Sequence, residues 1–70
     1  MSEKISNEVS IYRTKLGVTQ EELAAKAGVS RQTIIALEKG NYTPSILLAL
    51  KIAAFFKMPV EELFKITYEK

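Results

Sequence analysis

The stretch from Gln20 to Leu37 leaves this chain few folds to adopt. Leu23 and Ala24 are followed by Ala27-Gly28-Val29-Ser30, and then by Ile34 and Leu37. That spacing predicts a helix, a short turn and a second helix starting at Ser30. Gly28 supplies the positive φ that ends the first helix. The small Ala24 lets the two helix backbones approach closely. Val29, Ile34 and Leu37 then point into a shared core, which leaves Arg31, Gln32, Ile35 and Ala36 facing away from it. Thr19 caps the first helix and Glu22 completes a capping box; Ser30 caps the second. A short helix with a polar outer face, braced by another helix, suits the major groove of DNA.

Three more helices are expected around this pair. The first runs from about Asn7 to Leu16, with Ser6 as its cap, Val9, Tyr12 and Leu16 on one face, and Gly17 at its end. Gly40-Asn41-Tyr42-Thr43-Pro44 is a turn-rich loop. A helix capped by Thr43 or Ser45 follows and runs to about Phe56. Pro59 opens a short last helix through Phe64. At the ends, Ile66-Thr67-Tyr68 and Lys4-Ile5-Ser6 alternate weakly, so the termini either pair as a small antiparallel ribbon or fray. The expected fold is all-α, five helices in one domain over residues 1–70, with or without that ribbon.

Size and composition narrow the function. A chain of 70 residues buries only about 60% of its unfolded surface. It has no cysteine and no histidine, so neither a disulfide nor an ordinary zinc site supports the core. The same absence removes the commonest catalytic bases and nucleophiles. Glu21-Glu22 and Glu61-Glu62 read as acidic residues complementing helix starts, and no catalytic group can be assembled. No cofactor, metal or small-molecule substrate is indicated. The start carries Glu3 and no long apolar run, which points to the cytoplasm. The apolar stretch Ile46 to Leu50 is far too short to span a membrane. The net charge is +2, and the basic residues concentrate between Arg13 and Lys57. That distribution fits either a one-faced contact with a polyanion or an ordinary solvated surface.

Three segments in order carry a family resemblance: Gly17-Val18-Thr19-Gln20-Glu21-Glu22-Leu23-Ala24, Gly28-Val29-Ser30-Arg31-Gln32-Thr33-Ile34, and Asn41-Tyr42-Thr43-Pro44-Ser45. Together they resemble the phage Cro and repressor type (XRE-like) of helix-turn-helix protein, over about Val9 to Phe64. The resemblance implies a five-helix, lambda-repressor-like DNA-binding domain. It implies that Arg31, Gln32, Ile35 and Ala36 face base edges. Arginine binds guanine O6 and N7 in a bidentate way and glutamine does the same to adenine, each contact worth about 1–3 kcal/mol of discrimination. Arg31 on a phosphate is the alternative. Ile35 departs from the small polar residue often found there; it fits a thymine methyl or a half-buried flank. Gln20, Ser30, Thr33, Lys39, Asn41 and Tyr42 fall where such proteins touch the DNA backbone. Arg13 and Glu38 match a pair that bridges the first helix to the third.

One such helix reads few base pairs, and related proteins pair two of them one DNA turn apart. On the fourth helix Ile46, Ala49, Leu50 and Ala53 are expected in the core. Leu47, Ala54, Phe55 and Met58 form a second apolar row, extended by Pro59, Leu63, Phe64 and Ile66. That row is expected to join two copies, or to complete the core at Phe55 and Phe64. The expected function is a homodimeric, sequence-specific binder of double-stranded DNA that regulates transcription, most simply a repressor on a pseudo-palindromic operator. An antitoxin-type regulator with a partner protein, and a coactivator-like module that binds proteins only, are the alternatives.

Overall fold

The computed structural model describes residues 2–69. Five helices and one ribbon make up these residues. The helices are α1 (Val9–Lys15), α2 (Gln20–Ala27), α3 (Arg31–Glu38), α4 (Ile46–Phe56) and α5 (Val60–Leu63). The ribbon pairs β1 (Ser2–Asn7) with β2 (Phe64–Glu69), antiparallel, with Ile5 opposite Ile66. Among the described residues no helix is long and apolar enough to cross a membrane.

Local chemistry places the central pair of helices as the sequence predicts. Thr19 Oγ1 accepts the Glu22 N–H at 3.0 Å, and Glu22 returns the bond to the Thr19 N–H at 2.8 Å. The Thr19 backbone N–H holds the Glu22 carboxyl below the ordinary carboxylate range. Ser30 Oγ caps α3 through the Thr33 N–H at 3.2 Å. Ser45, rather than Thr43, caps α4 through the Leu48 N–H.

Four helices end in the same Schellman geometry, with a left-handed residue closing a bond from the next N–H back to a carbonyl five residues earlier. Those bonds are Val18 to Arg13, Val29 to Ala24, Asn41 to Ala36 and Met58 to Ala53. Three of the left-handed positions are glycine; after α4 it is Lys57, at φ 56°. A side chain there costs about 1–2 kcal/mol, part of which glycine returns through its greater freedom in the unfolded chain. Lys57→Gly is therefore expected to stabilise the protein by roughly 1 kcal/mol, raising Tm by about 4–8 °C in a thermal melt.

Val9, Leu23, Ile34, Leu37, Ile52 and Leu63 are fully buried and hold the elements together. Tyr12 and Phe55 flank Phe56, whose ring meets Phe55 edge-on at 5.1 Å between centroids. On α4 the buried stripe is Leu48, Ala49, Ile52 and Ala53. This corrects the expected core. Ile46 and Leu50 are 73% and 49% exposed, because α4 turns the Leu48–Ile52 side inward.

At the ends the ribbon forms, one of the two expected arrangements, so the described residues are five helices plus a ribbon. The expected cap and element bounds there are corrected. Ser6 lies opposite Lys65 in the ribbon and caps no helix. The Asn7 carboxamide takes over: its Oδ1 accepts the Val9 N–H at 3.1 Å, a turn that Asn makes two residues along its own backbone. Helix α1 ends at Lys15, and Leu16 beyond it is exposed. Phe64 leaves α5 and opens β2, where the β-branched and aromatic Ile66, Thr67 and Tyr68 favour extended backbone.

Candidate nucleic-acid interface

Helix α3 is held on its inner side by Ile34 and Leu37, both fully buried. Two residues of its first turn, Arg31 and Gln32, are exposed. Ile35 and Ala36 are half-buried, so the outward stripe narrows along the helix. Thr33 is half-buried as well, and its hydroxyl lies 3.0 Å from that of Ser30. Lys39 caps the far end of α3, and Lys39, Asn41 and Tyr42 are exposed. Apart from Gln20, at the start of α2, the residues expected to face DNA therefore lie on α3, at its two ends and in the loop that follows it.

The orientation of α3 is fixed by a polar cluster. Arg13 Nε donates to Glu38 Oε2 at 2.7 Å and Nη2 donates to Oε1 at 3.1 Å, a bidentate fork. Arg13 Nη1 donates to the Val18 carbonyl at 2.9 Å. Gln20 Nε2 adds a third bond to Glu38, at 3.1 Å. The side chains of Arg13 and Glu38 are only 16% and 7% exposed. Donating to the Glu38 carboxylate raises the Arg13 pKa above its already high ordinary value, so the guanidinium stays charged. The cluster joins α1, the turn before α2, the start of α2 and the end of α3. Gln20, expected on a phosphate, is thus oriented by Glu38; its amide nitrogen carries a second N–H beyond the one Glu38 takes.

The expected joining row is unevenly exposed. Leu63 is fully buried, and Phe55, Met58 and Phe64 are half-buried against the core. Leu47, Ala54, Pro59 and Ile66 are exposed, but Lys51 stands between Leu47 and Ala54 on the same side of α4. A different apolar surface is present. Ile5, Pro44, Ile46, Ala49, Val60 and Phe64 line a groove of ≈ 250 Å³. Ile46 stands at its edge, with Leu50 one helical turn further on. Periodicity did not single out this face, because Ile46 and Leu50 fit an inward stripe equally well.

Sequence reasoning also missed Asn7 and Lys51. The Asn7 Nδ2 donates to the Leu37 carbonyl at 2.9 Å, and an Asn just before a helix was the available signal. Lys51 reaches from α4 to the turn of the central pair, where a Cβ added at Gly28 would lie 3.9 Å from its Nζ. Its positive charge sits over the end of α2, which favours a cation.

Comparison with known proteins agrees with this geometry. The sequence model of the helix-turn-helix family matches residues 9–63. A Methanocaldococcus jannaschii protein named an uncharacterised HTH-type transcriptional regulator is 55% identical over 60 residues, covering 86% of this chain and 91% of its own. One of the same kind from Bacillus subtilis, YgzD, is 48% identical over 60 residues, with the same coverage. The crystal structure of the restriction-modification controller protein C.AhdI from Aeromonas hydrophila superposes with a TM-score of 0.73. It is 29% identical in sequence, and the match covers 79% of this chain and 83% of that one. A family match over most of the chain, together with relatives about half identical over nearly their full length, places the chain in the XRE-type helix-turn-helix family.

Proposed function

We propose that the protein is a homodimeric transcriptional regulator that binds a pseudo-palindromic site on double-stranded DNA, acting in the cytoplasm and most simply as a repressor by occupying an operator. One observation carries this reading: α3 is pinned on its inner side by buried Ile34, Leu37 and the Arg13–Glu38 fork while Arg31 and Gln32 stand exposed on its first turn. Fixed donors on a rigid rod are what base reading in the major groove requires. The relatives' names as transcriptional regulators support the same reading.

Arg31 and Gln32 then choose the sequence, with Ile35 and Ala36 in apolar contact beside them. Gln20, Ser30, Thr33, Lys39, Asn41 and Tyr42 hold the sugar-phosphate chain, and affinity falls steeply with salt. The two copies join through the groove beside Ile46, with Leu50 and Ile66 around it, in an isologous contact that pairs the same surface on both protomers.

Selection of bound duplexes from a random pool tests this directly. The expected product is a motif with twofold symmetry. Arg31→Ala is expected to relax base preference at one position of each half-site, by a factor corresponding to about 1–3 kcal/mol. Recovery of no motif from the wild type would refute sequence-specific binding. An unchanged motif from Arg31→Ala would remove Arg31 from base reading.

A further inference from the structure

We infer that the Asn7 side chain sets the separation of the two recognition helices in the dimer, and so the half-site spacing that the protein accepts. The inference rests on the dimeric DNA-binding reading above.

Asn7 sits where three elements meet. It is the last residue of β1, opposite Phe64 at the start of β2. Its Oδ1 takes the first N–H of α1. Its Nδ2 reaches across 30 residues to the Leu37 carbonyl of α3 at 2.9 Å. That carbonyl also accepts the Gly40 N–H at 3.0 Å, within the turn that ends α3. A carbonyl oxygen has two lone pairs, and at Leu37 both are engaged. The neighbouring Glu8 N–H is held by the Leu63 carbonyl at 3.0 Å, so the base of the ribbon is fastened to α5 as well.

The Arg13–Glu38 fork and the Asn7 bond restrain the end of α3 through different partners. The Arg13–Glu38 fork ties α3 to the end of α1 and, through Gln20, to α2, all within the DNA-reading unit. The Asn7 bond instead ties α3 to the ribbon, whose Ile5 and Phe64 line the groove assigned to the second copy. Asn7 is therefore a directed link between the reading helix and the joining face. Without its donor, α3 keeps its core packing and its bridge to Arg13, but its end is no longer tied to the ribbon and its angle to the dimer axis is held less tightly. The operator measures such an angle sharply, because one added base pair moves a half-site by about 3.4 Å and turns it by about 34°.

Asn7→Asp separates this role from simple helix capping. Aspartate keeps the Oδ1 acceptor for the Val9 N–H, and its charge suits a helix start. It replaces the donor with an oxygen facing the Leu37 carbonyl. Asn7→Ser is the second variant: its hydroxyl can still serve the turn but is too short to reach Leu37. Each protein is given a pool in which the selected half-sites are fixed and the spacer varies by single base pairs. The wild type is expected to prefer one spacer by tenfold or more over its neighbours, as an order of magnitude. Both variants are expected to reduce that preference to about threefold or less, with half-site bases and sedimentation as a dimer unchanged.

A variant that keeps the wild-type spacer preference overturns the inference. So does one that loses spacer and base preference together in step with its Tm, since that marks Asn7 as structural only. A wild type with no spacer preference overturns the dimeric reading itself, and is told apart from failure of the inference because it needs no variant.

Discussion

Glu38→Ala is expected to lower the stability of this protein by about 3–5 kcal/mol. Glu38 receives three hydrogen bonds, two from Arg13 and one from Gln20, at 2.7–3.1 Å. With its side chain 7% exposed and that of Arg13 16% exposed, water replaces little of what is lost. The variant leaves a charged guanidinium in a poorly hydrated place with the Val18 carbonyl as its remaining protein acceptor, and the Gln20 amide without its partner. A domain has only about 5–15 kcal/mol in total, so much of that margin disappears. Urea unfolding is the measurement: the midpoint falls and the slope stays near the wild-type value.

The paired replacement Arg13→Met with Glu38→Leu is expected to restore most of the loss, because two packed apolar groups need no solvation. The pair would then fold well yet hold Gln20 loosely, and its affinity for DNA would fall even though stability returned. A loss below about 1 kcal/mol for Glu38→Ala would class the bridge with exposed ion pairs of little consequence.

Ile46→Glu is expected to have the largest effect on DNA binding with the smallest effect on folding. Ile46 is 73% exposed, so the monomer's core does not depend on it. It is also the first residue of α4, where an acidic side chain suits the helix dipole. In the dimer the same position stands at the edge of the groove against the second copy, and a twofold axis brings in two carboxylates. Sedimentation is expected to show a monomer. Affinity for a two-half-site duplex is expected to fall by about 10²–10⁴, the usual gain from linking two binding events, while a single half-site is bound as weakly as before. Leu47→Glu, on the side of α4 interrupted by Lys51, serves as the contrast and is expected to leave the dimer intact. The reverse outcome, with Leu47→Glu monomeric and Ile46→Glu dimeric, would return the interface to the row first expected from the sequence.

Much of this molecule follows from residues that act on their near neighbours. Thr19 with Glu22, Ser30 with Thr33, and Gly28 after Ala27 state where α2 and α3 begin and end, since caps and left-handed turns involve only a few consecutive residues. The spacing of Leu23, Ala24, Ile34 and Leu37 states which sides of them are buried, and with that the outward placement of Arg31 and Gln32. The Arg13–Glu38 pair was legible only through the family resemblance, because nothing local couples residues so far apart in the chain.

Helix α4 lies at the other extreme. Ile46 to Phe56 is apolar nearly all the way round, so its periodicity favours no single face. Packing against α2 and α5 selected Leu48, Ala49, Ile52 and Ala53, and thereby turned Ile46 and Leu50 outward. The ribbon, the reach of Asn7 to Leu37 and the apolar groove beside Ile46 belong with it. Each depends on residues brought together from distant parts of the chain, and the order of amino acids encodes such meetings only through the packing of the whole fold.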